Sequence, residues 1–174
     1  HLDLLPTPKL SFSGVVVGAP EAPSLRVKRV VAEVGLTDFI RDQYHISKLD
    51  LEGPELTLSI GADGKLASTI ALPETVSSNA VSVASADITG GLVQLSDARS
   101  GNSFSFAGVN GEVRLEALLG PFSFNGVGTY DGTAYAVRVG TGALDADGAT
   151  NLTLYVKGEG DGFTVNTTGA LQTA

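Results

Sequence analysis

Apolar and polar residues alternate along most of this chain, and short stretches rich in glycine, proline and aspartate interrupt the alternation. A period of two places alternate side chains on opposite faces of a strand, so the pattern predicts strands with one apolar face. The first two cover 9–17 and 25–34. A third covers 44–51, with Ile46, Leu49 and Leu51 apolar. After Gly53-Pro54 the apolar positions change parity to Leu56, Leu58 and Ile60, which predicts a bulge or kink that re-aims the strand. The same strand, glycine, strand rhythm recurs where 80–88 and 92–95 flank Gly90-Gly91. Further strands follow around Phe104 and Phe106, Val113 and Leu115, Phe122 and Phe124, Tyr135 to Val139, Leu152 to Val156, and Phe163 to Thr167.

Turn chemistry supports this ladder. Asp63-Gly64, Asp131-Gly132, Asp147-Gly148 and Asp161-Gly162 carry the residues that type I′ hairpins favour. The first predicts a hairpin into a strand over 65–72. Asn110-Gly111 predicts another turn, and Asn125-Gly126 suits a turn or a bulge. Residues 36–43 depart from the pattern: Thr37 or Asp38 is placed to cap a short helix with Leu36, Phe39 and Ile40 on one face. Residues 73–79 predict a long loop. The expected fold is all-β: a strongly twisted, curved antiparallel sheet, groove-like or an open barrel or sandwich, with one short helix near 36–43. It forms a single domain over 1–174, with a possible subdivision into 1–72 and 80–174.

Composition narrows the chemistry. The 174 residues are 43% hydrophobic and carry a formal charge of −8, which argues against nucleic acid as a partner. The basic trio Arg26, Lys28 and Arg29 fits a solvated strand face, with docking to anionic headgroups as the other reading. With no cysteine, the chain has neither disulfides nor thiolate chemistry. No apolar run approaches the length of a membrane helix, and a chain beginning at His1 fits a fragment or processed form.

Catalytic and metal signals are weak. His45 sits in a strand-like stretch, and nothing pairs it with a nucleophile. Asp145-Ala146-Asp147-Gly148 begins like a calcium loop but lacks the third oxygen ligand and the distal Glu, so a turn fits better. Glu52 with Glu55, and Glu159 with Asp161, fall near turns. Asn151-Leu152-Thr153 and Asn166-Thr167-Thr168 are chance-level glycosylation matches. The residues therefore predict no enzyme, cofactor or metal. What remains is an apolar sheet face that a second layer, the helix or a ligand must cover.

The order of short motifs resembles the AsmA family. Leu5-Pro6-Thr7-Pro8-Lys9-Leu10 leads into a strand, then Val17-Gly18-Ala19-Pro20, a second strand and the helix-like stretch. The segment from Ile46-Ser47-Lys48-Leu49-Asp50-Leu51-Glu52-Gly53-Pro54 through Leu58 closes at Asp63-Gly64. Ile88-Thr89-Gly90-Gly91-Leu92 through Asp97, and Leu119-Gly120-Pro121-Phe122 followed by Gly126, continue the likeness. The resemblance implies a periplasmic body on an amino-terminal anchor in the bacterial inner membrane, upstream of His1. It also implies a part in outer-membrane biogenesis and an apolar β-groove that carries phospholipid or another envelope lipid. It implies no catalytic residues. The candidate lipid-contacting positions are Leu49, Leu51, Leu56, Leu58, Phe122, Phe124, Val137 and Val139. The alternative is a β-sheet interaction module with envelope protein partners and a dry core.

Overall fold

The computed structural model describes residues 8–19, 22–35, 44–65, 81–115, 121–143, 149–159 and 164–172. Ten strands form one open sheet: β1 (Lys9–Ala19), β2 (Ala22–Val34), β3 (Tyr44–Ile60), β4 (Val81–Val83), β5 (Ser85–Asp97), β6 (Asn102–Leu115), β7 (Phe122–Tyr130), β8 (Thr133–Thr141), β9 (Ala149–Gly158) and β10 (Thr164–Gln172). Their spatial order is the chain order, except that the short β4 pairs with the start of β3 beside β5. No helix occurs among the described residues. The helix expected at 36–43, all but Lys65 of the strand expected over 65–72, and the loop expected over 73–79 lie outside them.

The sheet is mixed rather than antiparallel throughout. β3 runs parallel to β4 and β5, while every other neighbour pair is antiparallel. A parallel pair needs a crossover of a dozen or more residues, and residues 61–80 separate β3 from β4. Asp63-Gly64 therefore ends β3 in a local turn: Gly61 N donates to Lys65 O at 2.9 Å, and Lys65 N donates to Asp63 Oδ1 at 3.1 Å. Asp131-Gly132 is the type I′ turn that its sequence predicts, with φ of 47° and 76° between the paired Tyr130 and Thr133. The other two Asp-Gly pairs lie outside the described residues. Asn110-Gly111 is not a turn, because β6 runs straight through it. Asn125-Gly126 is likewise regular strand, paired with β6 and β8.

A line of irregularities crosses the sheet midway along its longer strands. Gly14, Gly53, Gly90 and Gly108 have φ of 65°, 57°, 64° and 56°. These values favour glycine, because a Cβ would clash with the backbone. Gly14 stands level with Lys28 in β2, and Lys28 with Gly53 in β3. Gly53 stands level with Gly90 in β5, and two residues of β6, Gly108 and Val109, share the space opposite Gly128 of β7. The parity change seen in the sequence at Gly53-Pro54 and Gly90-Gly91 is this crease. Bulges of this kind bend strands and increase their twist.

One side chain closes the crease electrically. Asn110 Oδ1 accepts from Gly90 N at 2.9 Å, and Asn110 Nδ2 donates to Gly108 O at 2.7 Å. The amide thus satisfies a donor on β5 and an acceptor on β6 next to the bulges.

Glycines outside the crease serve close packing. Gly111 and Gly126 face each other across β6 and β7, and the Phe124 ring lies over both. A Cβ at Gly126 would collide with Asn110 O and come within 2.6 Å of Phe124 Cζ. A Cβ at Gly140, which lies opposite Ser123 on the neighbouring strand, would meet nothing within 4 Å. Gly126→Ala is therefore expected to lower unfolding stability by about 1–3 kcal/mol, whereas Gly140→Ala leaves it unchanged or slightly raised. Urea denaturation of the two variants checks this, and equal midpoints contradict it.

Candidate functional site

The site is the apolar face of the sheet, and the pairing register defines it. Residues opposite one another on neighbouring strands share a face. One row runs Leu10, Ala32, Leu49, Ala86, Val113, Phe124, Val139, Leu154 across eight strands and ends at Thr167 on β10. The next row on that face runs Phe12, Val30, Leu51, Ile88, Gly111, Gly126, Val137, Val156, Val165. Neither row contains a charged residue. Eight gaps of about 4.8 Å make such a row about 38 Å long.

The face continues past the crease. A Cβ at Gly91 would lie 3.2 Å from Ile88 Cγ2 and 3.3 Å from both Pro54 Cγ and Val109 Cβ, so these groups stand on one side. Beyond them come a row of Leu25, Leu56, Val93 and Phe106 and a row of Leu58, Leu95 and Phe104. Tyr130, on the same face of β7 as Phe124, packs its ring 5.2 Å from Phe106 and 6.2 Å from Phe104. Without the crease, the parity change would send Leu56 and Leu58 to the opposite side from Leu49 and Leu51.

The structure thus brings all eight sequence-derived candidates onto one face: Leu49 with Phe124 and Val139, Leu51 with Val137, Leu56 and Leu58 beyond the crease, and Phe122 beside Leu115. The sequence reading left out Ile88, Val93, Leu95, Phe104, Phe106, Tyr130 and Val156. The same alternation marks them, but only the register shows that they belong to one surface.

This face is half-covered at best. The eight candidates are all intermediate in exposure, and the fully buried apolar residues are few and mostly small: Val27, Ala32, Val34, Val83, Ala86 and Val109. Phe12 is 53% exposed, Leu10 41% and Phe104 38%. Among the described strands, substantial contact runs only between hydrogen-bonded neighbours, so no second layer of described residues sits on the apolar rows.

The opposite face carries the charge. Lys9 pairs with Glu33 at 2.7 Å, Lys48 bridges Asp87 at 2.8 Å and Asp50 at 3.3 Å, and Arg114 meets Glu112 at 3.0 Å. Arg138 lies 5.6 Å over the Tyr155 ring. Hydrogen bonds to Asp87 and Asp50 raise the Lys48 pKa, and the bond from Lys9 lowers that of Glu33. Such exposed pairs add little to stability. The basic trio is divided: Arg29 donates to Ser11 Oγ at 3.3 Å, while the Lys28 stem lies across Gly53.

A shallow depression of about 400 Å³ on this face is lined by Arg29, Asp50, Glu52, Asp87 and Thr89 among others. No group of metal-ligating side chains occurs among the described residues. His45 is on β3 opposite Ser82, and Asn151 and Asn166 are exposed on β9 and β10. Residues 145–148 and Asp161 lie outside the described residues. No protein-family model matches the chain, and neither a curated protein nor a solved structure matches it.

The β5–β6 turn holds the best-defined charged contact. Asp97 accepts from Arg99 N at 2.9 Å and from Arg99 Nε and Nη2 at 3.1 Å each. These bonds lower the Asp97 pKa to about 2. Because the folded value lies below the ordinary one, the clip's stabilisation is present above the unfolded pKa and is lost as pH falls through about 2. A carboxyl-carbon NMR titration should give an Asp97 midpoint about 2, returning toward the ordinary value of roughly 3.9 in Arg99→Ala. An unshifted midpoint in the unmodified chain contradicts the clip.

Proposed function

We propose that this chain is a non-enzymatic, lipid-binding segment of the bacterial cell envelope, AsmA-like in design, lying in the periplasm of a protein anchored to the inner membrane. Its role is to hold acyl chains on the apolar sheet face during transfer of phospholipid or another envelope lipid toward the outer membrane. The observation that carries this reading is the pair of uncharged apolar rows that cross the sheet without a covering layer of described residues. The resemblance of the motif order to the AsmA family supports the cellular setting.

The mechanism is passive. In this reading the bend at the glycine crease makes the apolar face the inner side of a trough. Acyl chains lie against Leu49, Leu51, Leu56, Leu58, Phe122, Phe124, Val137 and Val139, and headgroups stay in water. Each methylene withdrawn from water contributes about 0.8 kcal/mol, so an acyl chain binds without specific polar contacts. A face without hydrogen-bonding partners at its centre accepts many acyl lipids alike, as a carrier requires.

Protein purified from a bacterial host under mild conditions, then extracted and analysed by mass spectrometry, should carry phospholipid. Leu51→Lys combined with Val137→Lys should lose most of it while keeping the strand signal in circular dichroism. Lipid-free wild-type protein with a closed, filled core would favour the interaction module instead.

A further inference from the structure

The crease also divides the apolar face. One row of that face follows the bend itself: Val15, Val27, Pro54, Gly91, Val109 and Gly128. From Val27 onward every member is buried, with Val27 at 3% and Val109 at 8% exposure. The glycines leave no gap, because a Cβ at Gly91 or at Gly128 would lie 3.3 Å from the Val109 side chain. The half-exposed rows on the two sides of this filled line are therefore separate surfaces.

The two surfaces end differently. On one side, the rows through Leu49 and Leu51 cross β7 and continue on β8 and β9. On the other side, the row Val17, Leu25, Leu56, Val93 and Phe106 reaches Tyr130 and stops. Tyr130 is the last residue of β7, and its partner on β8 is the exposed Thr133, across the turn at Asp131-Gly132. The Tyr130 ring is tilted by 31° to that of Phe106 and by 41° to that of Phe104, so three aromatic rings close this end. The boundary is an internal hairpin of the sheet.

We propose that Tyr130 sets the acyl-chain length this protein accepts. One chain of a bound phospholipid lies along the Leu25–Phe106 row with its methyl end against the Tyr130 ring. The second chain lies beyond the crease, where the rows run on and set no limit. This inference rests on the lipid-binding reading and adds length selection to it. The closed row carries no charged side chain, and its one polar side-chain atom, the Tyr130 hydroxyl, is at the closed end. Nothing along the row fixes a polar ligand, whereas an unbranched hydrocarbon is held by length alone. A chain too long for the row leaves methylenes in water, and each of these forgoes about a fourfold gain in binding.

Competition between chain lengths tests this. The protein is equilibrated with vesicles in which dilauroyl, dimyristoyl, dipalmitoyl and distearoyl phosphatidylcholine are equimolar. It is then separated by gel filtration, and its bound lipid is read by mass spectrometry. The unmodified chain should favour one length and discriminate against longer ones. Tyr130→Ala should shift the profile to longer chains, by up to about fourfold for each added methylene. Tyr130→Trp should shift it to shorter ones. Opposite shifts separate length selection from a loosened hairpin, which would move both variants the same way. Tyr155→Ala, on the polar face beside Arg138, should leave the profile unchanged. Bound lipid with one profile in all forms, or with both Tyr130 variants shifted the same way, overturns the inference and leaves the lipid-binding reading standing. No bound lipid in the unmodified chain overturns that reading and the inference with it.

Discussion

A strand in a single-layered sheet can satisfy its backbone through its neighbours, but its neighbours cannot cover its faces. That constraint governs this protein. The hydrogen-bonded ladder runs from β1 to β10, and the polar face is solvated and laced with exposed ion pairs. Among the described residues, the apolar face is stabilised by cross-strand contacts, each worth roughly 0.2–1 kcal/mol. Phe124 over Gly111 and Gly126, and Tyr130 against Phe104 and Phe106, are among these. They shelter the glycines and join β6 to β7, yet they leave Phe12 and Leu10 in water at one edge. No described residue lies over this apolar surface as a second layer.

The crease follows from the same constraint. The apolar positions of β3 change parity between Leu51 and Leu56, so keeping one face apolar along its full length requires a break between them. Four positive-φ glycines supply it at one level of the sheet, and the apolar residues change parity there, so that Pro54 and Val109 meet Ile88 on the same side. Bulging frees backbone groups, and Asn110 takes up two of them, the Gly90 N–H of β5 and the Gly108 carbonyl of its own strand. The break is therefore a built part of the surface.

Local pattern made much of this legible. The strands, the Asp131-Gly132 turn and the kinks at Gly53-Pro54 and Gly90-Gly91 all follow from alternation and turn chemistry. All eight candidate residues fall on one face because period-two alternation encodes facing directly. What stayed hidden was non-local. Nothing in the sequence around Asp63-Gly64 announces that β3 will lie parallel to β5, since pairing partners depend on the whole sheet. Asn110-Gly111 has the composition of a hairpin turn, yet its side-chain amide bonds to Gly90 of β5 and β6 continues through it. The β5–β6 turn carries no Asp-Gly or Asn-Gly pair; Gly101, at φ of 71°, and the Asp97 carboxylate make it.

The central claim is that one face of this sheet takes up acyl chains and the other does not. Valine stands on both faces, which provides a control within the molecule: Val137 and Val156 are on the apolar rows, whereas Val31 and Val127 align with Asp50 and Asn110 on the polar side. Intermolecular nuclear Overhauser effects between methyl-labelled protein and a deuterium-matched phospholipid with protonated acyl chains measure contact at each. The account predicts cross-peaks from acyl protons to Val137, Val156, Leu51 and Ile88, and none to Val31 or Val127. Equal cross-peaks on both faces, or none on either, would contradict it.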